Sequence, residues 1–160
     1  MKLLRLWVSN FGPFASFDLD VRDLPSVVII GENGAVKSML MDALCCALHG
    51  WCDRGKLSEM IRRNGAIADG AAGLTDVTTG AEVNHLGRVH RVTRTWSGRT
   101  KAGKSTVDFA EFVYGEWAPR PVAELDARLG ILEAARYSTT FLRSHGIFGI
   151  GDFGVAKAGA

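Results

Sequence analysis

The sequence predicts an α/β fold: a mixed sheet with one helix behind a glycine loop, followed by an antiparallel β-meander. Three observations point there. A short β-branched run, Ser26 to Ile30, leads directly into a glycine-rich turn and then a run of helix formers. Two alternating segments separated by a turn precede it, and a series of short apolar-alternating segments runs from Glu82 to Trp117. At 160 residues and 47% hydrophobic content the chain can bury one core, so a single domain over residues 1–160 is expected.

The elements follow in order. Lys2 to Ser9 sets Leu3, Arg5 and Trp7 against Leu4, Leu6 and Val8, and Asn10 to Pro13 is a turn-forming set. Phe14 to Val21 alternates again, with Phe17, Leu19 and Val21 opposite Ser16, Asp18 and Asp20, so a hairpin is predicted. Ser26 to Ile30 is apolar enough for a central strand covered on both faces. Lys37 to His49 reads as helix, with Gly50 a suitable stop. These parts fill residues 1–50.

Leu57 to Arg63 has the spacing of a short helix, and Asn64 to Gly73 reads as an exposed loop. The meander occupies 82–118, its apolar positions being Val83, Leu86, Val89, Val92 and Trp96, then Val107, Phe109, Phe112, Val113 and Trp117. In 119–148, Pro121 to Leu132 has helical spacing ending near Gly130, and Tyr137 to Arg143 fits a second helix or a strand. Residues 149–160 form a glycine-rich tail.

Composition narrows the class. Nineteen Lys and Arg against seventeen Asp and Glu leave a net charge of +2, which announces neither a nucleic-acid nor a membrane partner. Cys45, Cys46 and Cys52 lie in or near an apolar run without paired metal-ligand spacing, so core packing in a reducing cytoplasm is expected. Arg5, Ser9, Asn10 and the Gly-Pro turn interrupt the N-terminal apolar run before it reaches signal-peptide type, and no stretch of about 18 apolar residues suggests a membrane span.

The chemistry lies in Gly31-Glu32-Asn33-Gly34-Ala35-Val36-Lys37-Ser38, followed by Met39. A helix N-terminus presents unpaired backbone N–H groups and a partial positive charge, so a glycine loop entering one can wrap a phosphate with main-chain donors. In the pattern GxxxxGKS the lysine reaches the β- and γ-phosphates and the hydroxyl ligates magnesium, roles that fall here to Lys37 and Ser38. One position departs: Val36 replaces the glycine before the lysine. A β-branched residue forced toward positive φ costs about 1–3 kcal/mol. That converts to weakening of about ten- to a few hundred-fold, with loss of binding as the extreme.

Gly98 to Ser105 (GRTKAGKS) matches the strict pattern, yet alternating, strand-like segments flank it on both sides and no helix follows. Without a helix there is no dipole and no stack of amides for a phosphate, so a basic hairpin turn is the expected structure.

The order NFGPF (Asn10 to Phe14), GENGA, LMDAL (Leu40 to Leu44) and ALHG (Ala47 to Gly50) resembles the opening of SbcC and its relatives among the SMC-like DNA-repair ATPases. MIRRNGA, RVHRVTR and the GEW turn are similar to that family's arginine-rich segment and β-meander. The resemblance implies a P-loop NTPase fold, the ABC-ATPase N-lobe, using ATP and Mg2+. It also places His145, in the segment FLRSHGIF, where the family has a glutamine that reaches the magnesium and the attacking water. A loop histidine with no ligand is the alternative.

The family implies further parts: a C-terminal half of the head with Walker B and signature motifs, a second head, an SbcD-like nuclease and non-sequence-specific DNA. Arg88, Arg91, Arg94, Arg99, Lys101 and Lys104, with no acid between Gly87 and Ser105, fit either contact with a phosphate backbone or a solvated face. Two other functions remain: a non-hydrolysing remnant serving as a structural, DNA- or partner-binding module, and a DndD- or RecF-like ATPase sharing the same opening.

Overall fold

The computed structural model describes residues 1–27, 29, 37–52, 55–56, 60, 76–97 and 104–130. The chain divides into two compact units, Met1–Val122 and Ala123–Ala160.

The first unit holds strands β1 (Lys2–Phe11) and β2 (Phe14–Asp20), helix α1 (Lys37–His49), and strands β3 (Trp51–Cys52), β4 (Gly55–Lys56), β5 (Asp76–His85), β6 (Arg88–Ser97), β7 (Lys104–Val113) and β8 (Glu116–Pro119). Six strands form one sheet in the order β2-β1-β5-β6-β7-β8, antiparallel throughout, and β3 pairs with β4 separately.

The opening hairpin is as predicted, with Leu6 opposite Leu19 and Val8 opposite Phe17. β1 runs two residues past Ser9, because Phe11 pairs with Phe14 and is fully buried. The meander starts at Asp76, earlier than its apolar pattern indicates, and β5 docks against β1. Thus Leu6 faces Ala81 and Val8 faces Thr79. Their buried face continues through Val83 and His90 to Val92 and Phe109, and α1 closes it by way of Thr79, whose hydroxyl donates to Ala43 O at 2.8 Å.

Three expectations are corrected. Leu86, read as a strand position, is the first residue of a two-residue turn with Gly87, at φ 51° and 79°, and it stands 89% exposed. Two positive φ angles suit the twist of a tight hairpin, so turn geometry overrides side-chain hydrophobicity there. Tyr114–Gly115 repeats the arrangement between β7 and β8, at φ 51° and 89°. Secondly, Ser26, Val27 and Ile29 carry no strand, and Val27 and Ile29 are 44% and 41% exposed. An apolar run becomes a covered strand only when neighbours pair with it, and among the described residues none does. Thirdly, the described strands pair antiparallel throughout and not as a mixed sheet; Val28 and Ile30 of the expected central strand lie outside the described residues.

After β8 a 3₁₀ turn, Val122–Glu124, leads to α2 (Leu125–Leu129) in the second unit, where Leu125 and Leu129 are buried. Gly130 at φ 63° ends the helix in the left-handed region, as its position suggests. The helix read at 57–63, apart from buried Met60, the loop at 64–73, and everything from 131 onward lie outside the described residues. No helix among the described residues is long and apolar enough to cross a membrane.

Candidate nucleotide site

Helix α1 starts at Lys37 and ends at His49. Leu, Met and Ala favour the helix. Gly50, at φ 83°, returns its N–H to Cys46 O at 2.9 Å and turns the chain out. Leu40 and every residue from Asp42 to Leu48 are buried, so this helix is embedded, not lying on a surface. Asp42 belongs to that embedded architecture, with 0% exposure.

Lys37 and Ser38 form the first turn, Lys37 half-buried and Ser38 exposed, with Met39 half-buried beside them. No acidic residue occupies that turn, so the positive end of the helix dipole is not neutralised from within it. The tip of the β1–β2 hairpin reaches the same region. Gly12, at φ 52°, donates its N–H to Met60 O at 2.7 Å, and a β-carbon on it would collide with Cε of Met39. Gly31, Glu32, Asn33, Gly34, Ala35, Val36 and His145 lie outside the described residues.

The far end of α1 is held from the sheet. Arg94 of β6 donates from Nε to Ala47 O at 2.9 Å and from Nη2 to Leu48 O at 3.0 Å. In the sequence Arg94 stands out only as part of a basic stretch. Its parity with Val92, a core residue on the same strand, is the available signal that it points toward the helix.

Arg88 and Arg91 of that stretch form ion pairs too. Arg88 pairs with Glu111 at 3.2 Å, and Arg120 meets the same carboxylate at 2.9 Å. Arg91 donates to Glu82 at 2.7 and 3.0 Å while its guanidinium lies 3.8 Å from the ring centre of Trp117. Arg94 is thus bound inside the fold and Arg91 is half-buried in its pair, while Arg88 keeps a solvent-exposed side chain, 66% accessible, as a solvated face would; Arg99, Lys101 and the Lys104 side chain lie outside the described residues. Lys104 and Ser105, the last two residues of GRTKAGKS, open β7 and pair with Ser97 and Trp96 of β6, so the segment runs into a strand and not a helix; residues 98–103 lie outside the described residues.

The cysteines pack in the core. Cys45 and Cys46 have no exposure and Cys52 has 3%, with Cys52 Sγ 4.0 Å from Met60 Sδ. A hydrogen bond with Cys52, then burial, pushes the Cys46 thiol far above its ordinary range. Among the described residues no cluster of three or more His, Cys, Asp or Glu could hold a metal. An apolar cavity of about 260 Å³ opens beside α1, lined by Leu3, Leu6, Val27, Ile29, Leu40 and Leu44 among others.

A helix with Lys-Ser in its first turn, laid across an antiparallel sheet, defines an α/β protein of the P-loop-like class. Residues 5–107 match the AAA domain family, and the chain belongs to that family. It is 28% identical, over 160 residues, to SbcC, a subunit of the nuclease SbcCD, from Staphylococcus aureus strains JH9, Newman and USA300. Each match covers 96% of this chain and 16% of the relative, so the chain spans about a sixth of those proteins. The N-terminal SbcC-like character read from its motifs is thereby borne out.

Proposed function

We propose that this chain is the ATP-binding half of an SbcC-like ATPase head, the ABC-type N-lobe, serving DNA double-strand break repair and end processing. The observation that carries the reading is the opening of α1: Lys37 and Ser38 sit at an embedded helix's N-terminus without an acid in the first turn. An anion is favoured there by the dipole and the lysine together. The exposed Ser38 hydroxyl is an oxygen donor of the kind magnesium takes, so the residues fit the ion. In this reading the backbone of Gly31 to Gly34 cradles phosphates, Lys37 neutralises them, Ser38 ligates magnesium, and Met39 packs beneath. When bound, magnesium spreads the charge of the terminal phosphates. His145 takes the glutamine position, its imidazole able to hold a hydrogen bond to water.

The relatives matched are named as nuclease subunits, and from that name comes the proposal of an SbcD-like nuclease and DNA as partners, in a cytoplasmic setting. The DNA proposal rests on the likeness and not on Arg88, Arg91 and Arg94, each of which already has partners within the fold. The exposed Val27 and Ile29 beside an apolar cavity support completion of the head by a C-terminal half, with a second head needed for hydrolysis.

Val36 favours a second reading, a remnant that folds but does not hydrolyse. Calorimetry of Mg-ATP with the chain, with Lys37→Ala and with Val36→Gly separates the two. The nucleotide reading expects binding that Lys37→Ala abolishes and Val36→Gly tightens by about tenfold or more. If neither the chain nor Val36→Gly takes up nucleotide, the remnant reading replaces it.

A further inference from the structure

We propose that Arg94 is a positioning residue for the phosphate-binding end of α1, acting through the helix from its opposite terminus. At about 1.5 Å per residue, α1 is roughly 20 Å long, so Arg94 and Lys37 serve opposite ends of one rigid rod. The last carbonyls of a helix lack intrahelical donors. Arg94 supplies donors to two of them, Ala47 O and Leu48 O. Successive carbonyls stand about 100° apart around the axis, so a planar group engaging both fixes the rotation of the helix as well as its height. The left-handed Gly50 keeps the exit turn close to the guanidinium: a β-carbon there would lie 3.4 Å from Nη1. One turn earlier, Thr79 bonds Ala43 O, so β5 and β6 together suspend the helix from the middle of the sheet. Lysine could replace the charge but not the two-pronged geometry.

The functional part of this inference rests on the nucleotide reading above; the mechanical part does not. The test is hydrogen exchange of the Met41 to Leu44 amides, in the second turn of α1, in the full chain and in Arg94→Ala, Arg94→Lys and Val92→Ala. Val92 is buried on the same strand and, unlike Arg94, is no donor to Ala47 O or Leu48 O, so its truncation lowers stability without removing those bonds. Compared at equal distance below each melting temperature, Arg94→Ala should speed exchange at 41–44 about tenfold more than Val92→Ala, with Arg94→Lys between them. Mg-ATP affinity should fall about tenfold in Arg94→Ala and stay unchanged in Val92→Ala. Equal exchange in Arg94→Ala and Val92→Ala overturns the proposal. Should Arg94→Ala fail to fold, wild-type exchange in Arg94→Lys overturns it instead. Faster exchange in a chain that binds no Mg-ATP leaves Arg94 as the clamp of α1 and refutes the nucleotide reading alone.

Discussion

The indole of Trp7 lies against the backbone of Gly80, its partner across the β1–β5 ladder, so closely that a β-carbon at Gly80 would collide with Cε2 and Cζ2 of the ring. The clash would be with a large ring fixed on a central strand, which yields less readily than the end of a flexible chain. Gly80→Ala is therefore expected to destabilise the fold by about 1–3 kcal/mol in urea unfolding. Adding Trp7→Leu should return a substantial part of that loss, since the two residues share one contact and their effects are not additive. Full additivity in the double variant would show that Trp7 is not the obstacle.

Glu82 is a buried anion on the same sheet face as Trp7 and Gly80, 3% exposed and held by Arg91 at 2.7 Å and Arg22 at 3.2 Å. Glu82→Ala leaves Arg91 without its main carboxylate, next to Trp117. Because Arg91 is 35% exposed and Arg22 is 48% exposed, water compensates in part. A loss of about 1–3 kcal/mol is expected, smaller than for a wholly buried pair. Glu82→Gln should retain part of the difference through its hydrogen bonds, and chemical unfolding of both variants checks the order.

The parts with strong periodicity are legible in the sequence, and the rest is hidden for physical reasons. β1, β2 and α1 carry clean alternation or helix-forming runs, and Gly50 and Gly130 stop their helices as glycine should. The start of β5 is hidden because Asp76 to Gly80 carries one apolar side chain, Val77, and acquires its strand by pairing with β6 along its length and with β1 from Thr78 onward. At the site, Lys37 and Ser38 can be read from a linear motif. The grip of Thr79 and Arg94 on α1 cannot, since it joins residues 36 to 47 positions apart. Arg94 misleads for the same reason: its partners are two helix carbonyls 46 and 47 positions away, whereas Arg91 meets Glu82 across a single hairpin.

Asp18 and Asp20 link stability to acid pH. Hydrogen bonds from Arg5 hold the Asp18 carboxyl below its ordinary 3.8, and those from Arg22 do the same for Asp20. A carboxylate depressed in the folded state contributes stability that is present above its unfolded value and lost as pH falls through the lower folded one. As pH falls below about 4 the unfolded chain binds more protons at these sites, so the melting temperature should fall with pH there. Both pairs are exposed, so the slope is modest. Asp18→Asn should flatten it; an unchanged slope in thermal melts would assign the acid sensitivity to other carboxylates.

Thr79 offers a clean deletion, because Thr79→Val keeps the shape and removes the hydroxyl that donates to Ala43 O in a fully buried setting. Ala43 O retains its place in the helix ladder, so no acceptor is stranded and the loss should stay near about 1 kcal/mol. Thermal melts of the single variant and of its combination with Arg94→Lys should show coupling, since both bonds hold one helix to one sheet.

The three cysteines should behave as core residues and not as reagents. Thiolate is the reactive species, and Cys46 is driven strongly toward the protonated thiol by its bond with Cys52 and by burial. Cys45 and Cys46 are wholly enclosed, and Cys52 nearly so. An aromatic disulfide reagent at neutral pH should therefore label the native chain only as fast as the core opens. All three thiols should react together, with a rate that rises in urea in step with unfolding. A single thiol that reacts quickly without denaturant would place one cysteine at a reachable surface and contradict the packing of α1 against β3.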